Sequence, residues 1–337
     1  MVSTDPHAVP SAMPAGPWLT VLGMHRSGTS GITGALGALG LGVPHRDDRM
    51  DWPESNPEHW ESSALTVYDD DVLADLGGSW DAPPDLVAGW EDGAAVRRDP
   101  GPERAARTAF PDPGPIVWKD PRLCLLLPYW RRFLPGPHAA VLIWRSPLEV
   151  AGSLRRRDGM QLADGVALWE HYNRSALSNL AGIDTYVCSY GSVLADPHGA
   201  LTALAGWLAA LPQFEDGARG WDVGRAAAAI AERPADRTDD DGDGDGLLLT
   251  PQEELLVHLT ALAGGHRPLD PGAVGADSPW TTALLAARRG SRTRELAGVE
   301  AQVDQKQTEI DRMRASTSWR VTAPLRAVIA RATGTRG

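Results

Sequence analysis

The stretch best suited to chemistry is Gly23-Met24-His25-Arg26-Ser27-Gly28-Thr29-Ser30. It follows a short apolar run, 18–22, and precedes Ile32, Leu36 and Leu39 at helical spacing. A turn of small residues between a strand and a helix points backbone N–H groups and the positive helix end at one place. That makes an anion site. The Gly23 to Gly28 spacing matches the GxxxxGK[ST] loop of nucleotide kinases and ATPases, but Thr29 stands where that loop has its lysine. The cation lies upstream instead, at Arg26. The plain alternative is a Gly/Ser-rich turn with no ligand.

The elements that must hold this loop are readable as an alternation. Short apolar runs at 18–22, 116–118, 139–144 and 185–188 have strand length. Helical patterns occupy 29–39, with Gly40 as a C-terminal cap, then 62–76, 148–157, 162–180 and 197–211. Strands alternating with helices predict an α/β fold with a parallel sheet flanked by helices on both faces. Residues 1–17 read as a Pro/Ala-rich disordered lead-in and 99–115 as a surface loop. After Pro212 the pattern weakens, and 236–246 includes the acidic tract DDDGDGDG.

With these elements in place, HRSGTS after a strand resembles the 5′-phosphosulfate loop of sulfotransferases that use 3′-phosphoadenosine 5′-phosphosulfate (PAPS). The resemblance implies that Arg26, Ser27, Gly28, Thr29 and Ser30 hold the 5′-phosphate and sulfonyl group. The run AVLIWR ending at Arg145, then SPLEVAGSL, is similar to the family's strand–Arg–x–Pro–x–x–Val/Ala–x–Ser signature. It implies that Arg145 and Ser153 grip the 3′-phosphate, which distinguishes PAPS from ATP. A guanidinium fork with a hydroxyl at a helix start suits a phosphate dianion.

A third element, Val117-Trp118-Lys119-Asp120-Pro121-Arg122, resembles the KDP element of the protein-tyrosine and bacterial branches. There the lysine stabilises charge on the bridging oxygen as the sulfuryl group leaves. Lys119 is one of only two lysines in an arginine-biased chain, and a compact ammonium suits that role better than a fork. The bland reading is a solvated Lys119–Asp120 ion pair at a strand end. Tyr190, in VCSY…ADP, matches the aromatic that helps hold the adenine. Asn56-Pro57-Glu58-His59-Trp60-Glu61 and the LGGSW run at 76–80 match further elements of bacterial members. The resemblance covers about residues 18–211 and implies a P-loop-containing nucleotide-binding fold with PAPS as cofactor.

Sulfuryl transfer also needs a base for the attacking hydroxyl. Glu61 is the first candidate and His59 the second. Members often carry a Gly between the Pro and the aromatic that this chain lacks, which shifts the alignment of Glu58, His59 and Glu61 by a residue. The bland reading of Glu61 is a carboxylate at a helix N-terminus. The family's C-terminal basic–Gly loop is not found, and Arg233 and Arg237 are substitutes in a segment that does not align.

Two other patterns bear on metals. Asp241-x-Asp243-x-Asp245-Gly246 begins like a calcium loop, but its twelfth position is Gln252 rather than a bidentate Glu. His258 and His266 lack a third ligand nearby. No metal is expected.

Composition bounds the rest. Of 337 residues, 42% are hydrophobic and 23% charged, so the chain buries a sizeable core. Two cysteines cannot form a disulfide framework, and no apolar run reaches membrane-spanning length, so a cytoplasmic location is expected, with the inner face of the membrane as a variant. A net charge of −12 argues against a nucleic-acid binder. From Arg288 onward the balance is +6, leaving −18 on the preceding residues.

In that basic end, Leu296, Val299, Val303, Ile310 and Met313 alternate at 3–4 spacing, with Lys306 at the missing step. The segment 281–314 is therefore expected to be a coiled-coil helix for self-association or partner docking. The segment 315–337 reads as a basic amphipathic tail for peripheral membrane contact, or as a weakly ordered end. Its STSWRVTAPLR motif resembles ends of bacterial glycosyltransferases and surface-glycan proteins. The domain spans 18–280. It is expected to move a sulfuryl group to a hydroxyl of a saccharide, lipid-linked acceptor or natural product, with Trp52, Trp60, Trp80 and Trp90 available to stack on sugars. Two alternatives stay open: a P-loop phosphotransferase, against which Thr29 counts, and a catalytically silent coiled-coil scaffold.

Overall fold

The structure, a computed structural model, describes residues 13–50, 59–97, 101–136, 138–232 and 248–316. Four parallel strands, β1 (Trp18–Leu22), β2 (Ile116–Lys119), β3 (Ala139–Trp144) and β4 (Asp184–Ser189), carry the sheet. A short β5 (Gly264–His266) completes it in the order β2-β1-β3-β4-β5. β5 runs antiparallel to β4, which corrects the expectation of an all-parallel sheet. Its Gly-Gly-His sequence has no β-forming side chain to announce it.

The central strands are apolar because both faces are covered. Trp18 and Leu22 point into one core cluster, while Leu19 and Val21 point into the other. β3 alternates in the same way, Ala140, Leu142 and Trp144 against Ala139, Val141 and Ile143. Each fully buried Leu, Val or Ile contributes about 1.5–3 kcal/mol. Burial on both faces is what a parallel sheet requires.

The helices follow in chain order. The first six are α1 (Thr29–Leu39), α2 (Ser63–Asp75), α3 (Pro102–Ala109), α4 (Leu123–Trp130), α5 (Pro147–Asp158) and α6 (Leu162–Leu180). After β4 come α7 (Tyr190–Ala195), α8 (Pro197–Ala209), the single turn α9 (Glu215–Ala218), α10 (Val223–Ala231), α11 (Thr250–Ala261) and α12 (Pro279–Ala315). α1, α7, α8 and α10 cover one face; α2 to α6 and α11 cover the other.

Three expectations are corrected. The surface loop at 99–115 contains α3, started by Pro102 at its first turn, which buries Ala105, Ala106 and Ala109. An alanine face packs closely yet carries little hydrophobic signal. The lead-in is ordered from Met13, which joins the core, and Ala15 accepts a backbone hydrogen bond from Gly114. The weakly patterned region after Pro212 holds α10 and α11.

Residues 1–12, the acidic tract at 236–246 and the tail from 317 onward lie outside the described residues, as do Trp52, Asn56, Pro57, Glu58, Arg233 and Arg237. Among the described residues no helix is long and apolar enough to cross a membrane.

The chain divides into two compact units, Met1–Leu285 and Ala286–Gly337. In the first, Ser278 at the start of α12 is fastened to α6. The buried Glu170 carboxylate accepts from the Ser278 amide (2.8 Å), the Ser278 hydroxyl (2.9 Å), Thr281 (2.6 Å), Gln252 (2.5 Å) and Arg174 (2.8 Å). Gln252, the twelfth position of the calcium-like pattern, is thus a buried structural residue. In the second unit, α12 runs on to Ala315 with its apolar residues exposed.

Candidate functional site

The loop 23–28 leaves the C-terminal end of β1 and enters α1. Its shape depends on two glycines. A Cβ at Gly23 would lie 2.3 Å from the Ile143 carbonyl oxygen, and one at Gly28 would lie 2.2 Å from the Tyr190 ring. Gly28 also has φ 92°, in the left-handed region. Among the described residues Arg26 is the one non-glycine with positive φ, at 70°. A left-handed non-glycine costs energy that the surroundings must offset, and such strain gathers at ligand sites. The Ser27 hydroxyl is buried with no hydrogen-bond partner, an acceptor and donor held ready inside the loop.

The second predicted element meets the loop directly. Arg26 Nε donates to Ser153 Oγ at 2.8 Å, joining β1's loop to α5. Arg145 leaves the end of β3, buried, with its guanidinium 3.4 Å from Glu149 and 5.7 Å from the Tyr190 ring centre. Its carbonyl accepts from Trp169 Nε1 at 2.9 Å, which fixes the strand end. Tyr190 opens α7 straight after β4, and its ring packs against Gly28 with the Arg145 guanidinium nearby. Arg26, Gly28, Arg145, Ser153 and Tyr190 therefore form one cluster at the C-terminal ends of β1, β3 and β4. That edge of a parallel sheet is where such folds bind ligands.

Lys119 ends β2 on the other side of the loop. It is buried, pairs closely with Glu61, and donates to Ser30 Oγ at 3.1 Å. Glu61 is not an N-terminal helix carboxylate: Ser62 caps α2, accepting from the Leu65 amide at 3.0 Å. Asp48 supports that cap by accepting from the Ser62 hydroxyl and from the Ala64 amide at 3.1 Å. Burial raises the Glu61 pKa, but the Lys119 ammonium, with the His59 side chain close by, outweighs it and holds the carboxyl well below its usual range. His59 Nδ1 lies 3.7 Å from Glu61.

The solvated Lys119–Asp120 pair is not formed. Asp120 instead accepts from the Arg122 amide (2.8 Å) and guanidinium (3.1 Å), while Arg122 also grips Asp70 on α2 at 2.6 and 2.9 Å.

One residue of the site went unassigned in the sequence. His25 is buried, its ring 4.5 Å from Trp80 and 5.9 Å from Tyr172. Burial, helped by Arg122, lowers its pKa well below the usual value, so the imidazole is neutral at pH 7. The only signal was its place inside the loop. Of the tryptophans considered for sugar stacking, Trp80 borders the loop through His25 and carries Arg157 5.3 Å from its ring. Trp60 lies under Arg49, 4.2 Å away, and against Gly34 of α1. Trp90 packs on the core.

A cavity of about 250 Å³ opens beside α7 and α8, lined by Cys188, Ser192, Val193, Asp196 and Gly264 among others. None of Arg26, Lys119 or Arg145 lines it, so the charged cluster is the better candidate for chemistry. His258 and His266 each donate from Nε2 to a backbone carbonyl at 2.8 Å, of Pro271 and Leu262.

No protein-family model matches the chain, and no curated protein or solved structure matches it either.

Proposed function

We propose that the chain is a PAPS-dependent sulfotransferase acting on a hydroxyl of a saccharide, lipid-linked acceptor or natural product, with a P-loop-type nucleotide site between β1 and α1. The observation that carries this reading is the pair of cations flanking one loop. Arg26, held on Ser153, lies on one side, and Lys119, held on Ser30, lies on the other. A kinase-type loop would put its lysine at position 29, where this chain has Thr.

The residues fit a nucleotide with phosphates on both the 3′ and the 5′ oxygens of its ribose. Ser27 offers a buried unpartnered hydroxyl, the start of α1 offers backbone N–H groups, and Arg145 with Ser153, which accepts from Arg26 of the loop, offers further anion contacts in the same cluster. Tyr190 supplies an aromatic face beside them. The bound donor supplies the sulfuryl group, whose bond to the bridging oxygen breaks as a bond to the acceptor oxygen forms.

The chain's own part is electrostatic and proton handling. Lys119 Nζ, shared between Glu61 and Ser30, provides positive charge where a leaving oxygen gains negative charge. Burial raises the proton affinity of Glu61 and Lys119 opposes it. As Lys119 turns its hydrogens elsewhere, that opposition fades, and Glu61 becomes able to take the acceptor's hydroxyl proton.

Calorimetric titration with 3′,5′-adenosine bisphosphate and, separately, ATP–Mg²⁺ tests the reading. Tight binding of the bisphosphate and none of ATP is expected. The reverse would make the chain a phosphotransferase, and no binding of either would leave a scaffold.

A further inference from the structure

We infer that residues 296–313 of α12 pair with the same segment of a second copy as an antiparallel coiled coil, in one register. Among the described residues ten large apolar side chains are exposed, and five of them fall in this stretch. Leu296, Val299, Val303, Ile310 and Met313 are between 37% and 60% exposed. They follow the 3–4 alternation of a heptad seam, with Leu296, Val303 and Ile310 at one seam position and Val299, Lys306 and Met313 at the other. A seam of this spacing is complementary to itself, so a second copy is the occupant it fits.

Lys306 decides the direction. In a parallel pair identical positions face each other, so two Lys306 ammonium groups meet in the middle of the seam. In an antiparallel pair the two kinds of seam position alternate across the interface. Leu296 then faces Met313, Val299 faces Ile310, and Lys306 faces Val303 of the other copy. The lysine stem covers the valine, and the ammonium turns out toward Glu309 of its own helix, to which it already lies 3.8 Å away.

The seam edges agree. This alignment sets Thr293 by Arg314, Glu295 by Ser316 and Gln302 by Glu309 of the second copy, with no like charges among them. A parallel pair gains Glu309 beside Arg314, an exposed ion pair of the weak surface kind, against two lysines forced together in the seam. Register is fixed by what lies before Leu296. Arg289 and Arg292 occupy the preceding seam positions, and sliding the antiparallel pair one heptad toward them puts Ile310 opposite Arg292. Among antiparallel registers of the described helix, one alone gives all five apolar residues seam partners without an arginine opposite any of them.

Cysteine crosslinking of the full chain tests this cleanly, because the native Cys124 and Cys188 are free and buried. Leu296→Cys and Met313→Cys chains are prepared with different tags, mixed and oxidised. The antiparallel pair gives a mixed Leu296→Cys/Met313→Cys disulfide and little from either variant alone. In a parallel pair those two positions are about 25 Å apart at 1.5 Å per residue, and each variant would crosslink to itself instead.

Light scattering of the unmodified chain should give twice the monomer mass at tens of micromolar. A Val303→Glu/Ile310→Glu variant should return it to monomer while leaving bisphosphate binding unchanged. Self-crosslinking of Leu296→Cys alone would overturn the orientation. A monomer at every concentration would overturn the pairing and give the seam to a different partner.

Discussion

Arg26 and Ser153 lie 127 positions apart and share a 2.8 Å hydrogen bond from Nε to Oγ. It fastens the strained loop after β1 to α5. Removing the hydroxyl in Ser153→Ala should leave the fold intact. It should weaken 3′,5′-adenosine bisphosphate binding about tenfold, the lower end of the ~1.5–3 kcal/mol of a hydrogen bond to a charged group. Arg145→Ala should cost more, about 1.5–3 kcal/mol or ten- to a hundredfold. Both losses should be much smaller for adenosine 5′-phosphosulfate, which lacks the 3′-phosphate. Equal weakening of the two ligands in calorimetry would remove Arg145 and Ser153 from the 3′ site.

Lys119 is expected to matter for turnover more than for binding. Loss of a positioned charge donor in a buried site costs about 10²–10³ in rate. Lys119→Ala alone strands the buried Glu61 carboxylate, so Lys119→Met/Glu61→Gln serves as the folded control. Both should bind the bisphosphate within about threefold of the unmodified chain while turnover falls at least a hundredfold. An unchanged rate would take Lys119 out of the chemistry. Because Lys119 holds the Glu61 carboxyl well below its usual range, the acid limb of the rate profile should fall below about pH 4.5. A limb near pH 6.5 would mark a histidine as the base instead.

The strands were legible as short continuous apolar runs, as in the two-faced burial of Trp18–Leu22, and most helices by apolar residues at 3–4 spacing. What escaped detection carried little hydrophobic signal. α3 packs through alanines, β5 is Gly-Gly-His, and Gln252 is buried by partners 82 and 26 positions away. The site divides in the same way. Motif order marked Arg26, Lys119, Arg145, Ser153 and Tyr190, and the fold brings Arg26 to Ser153 and Lys119 to Glu61. The alternative Lys119–Asp120 pair does not form, since neighbours at a strand end project to opposite sides. The His25 environment depends on Trp80 and Tyr172, which no local pattern links to the loop.

Glu170 predicts a large stability effect remote from the charged cluster. Its carboxylate is fully buried and satisfies Arg174, Gln252, Ser278 and Thr281 at once. Glu170→Ala leaves these donors without their acceptor, including a charge, and should destabilise the first unit by about 3–5 kcal/mol in urea unfolding. Glu170→Gln keeps the shape and should cost less. A loss under about 1 kcal/mol for the alanine variant would mean that water replaces the carboxylate without penalty.

His138, just before β3, predicts a pH dependence whose sign is fixed by burial. Burial, with Arg131 nearby, pushes its pKa down to about 4, and its Nε2 is buried without a hydrogen-bond partner. The folded protein therefore refuses a proton that the unfolded chain accepts near pH 6.5. The stability tied to this imidazole is complete above pH 6.5 and drains away as pH falls toward 4. Linkage sets the slope at about 1.4 kcal/mol per pH unit for one full proton. Asp69 and Asp120, raised by burial, act in the opposite sense as pH falls. His25 acts in the same sense as His138. The total slope therefore mixes several groups, and the comparison with His138→Gln isolates one. Between pH 6 and 4.5 that variant should lose stability more slowly than the unmodified chain, by about 1 kcal/mol per unit in urea unfolding. Parallel curves would show that His138 takes its proton in the folded state as readily as in the unfolded chain.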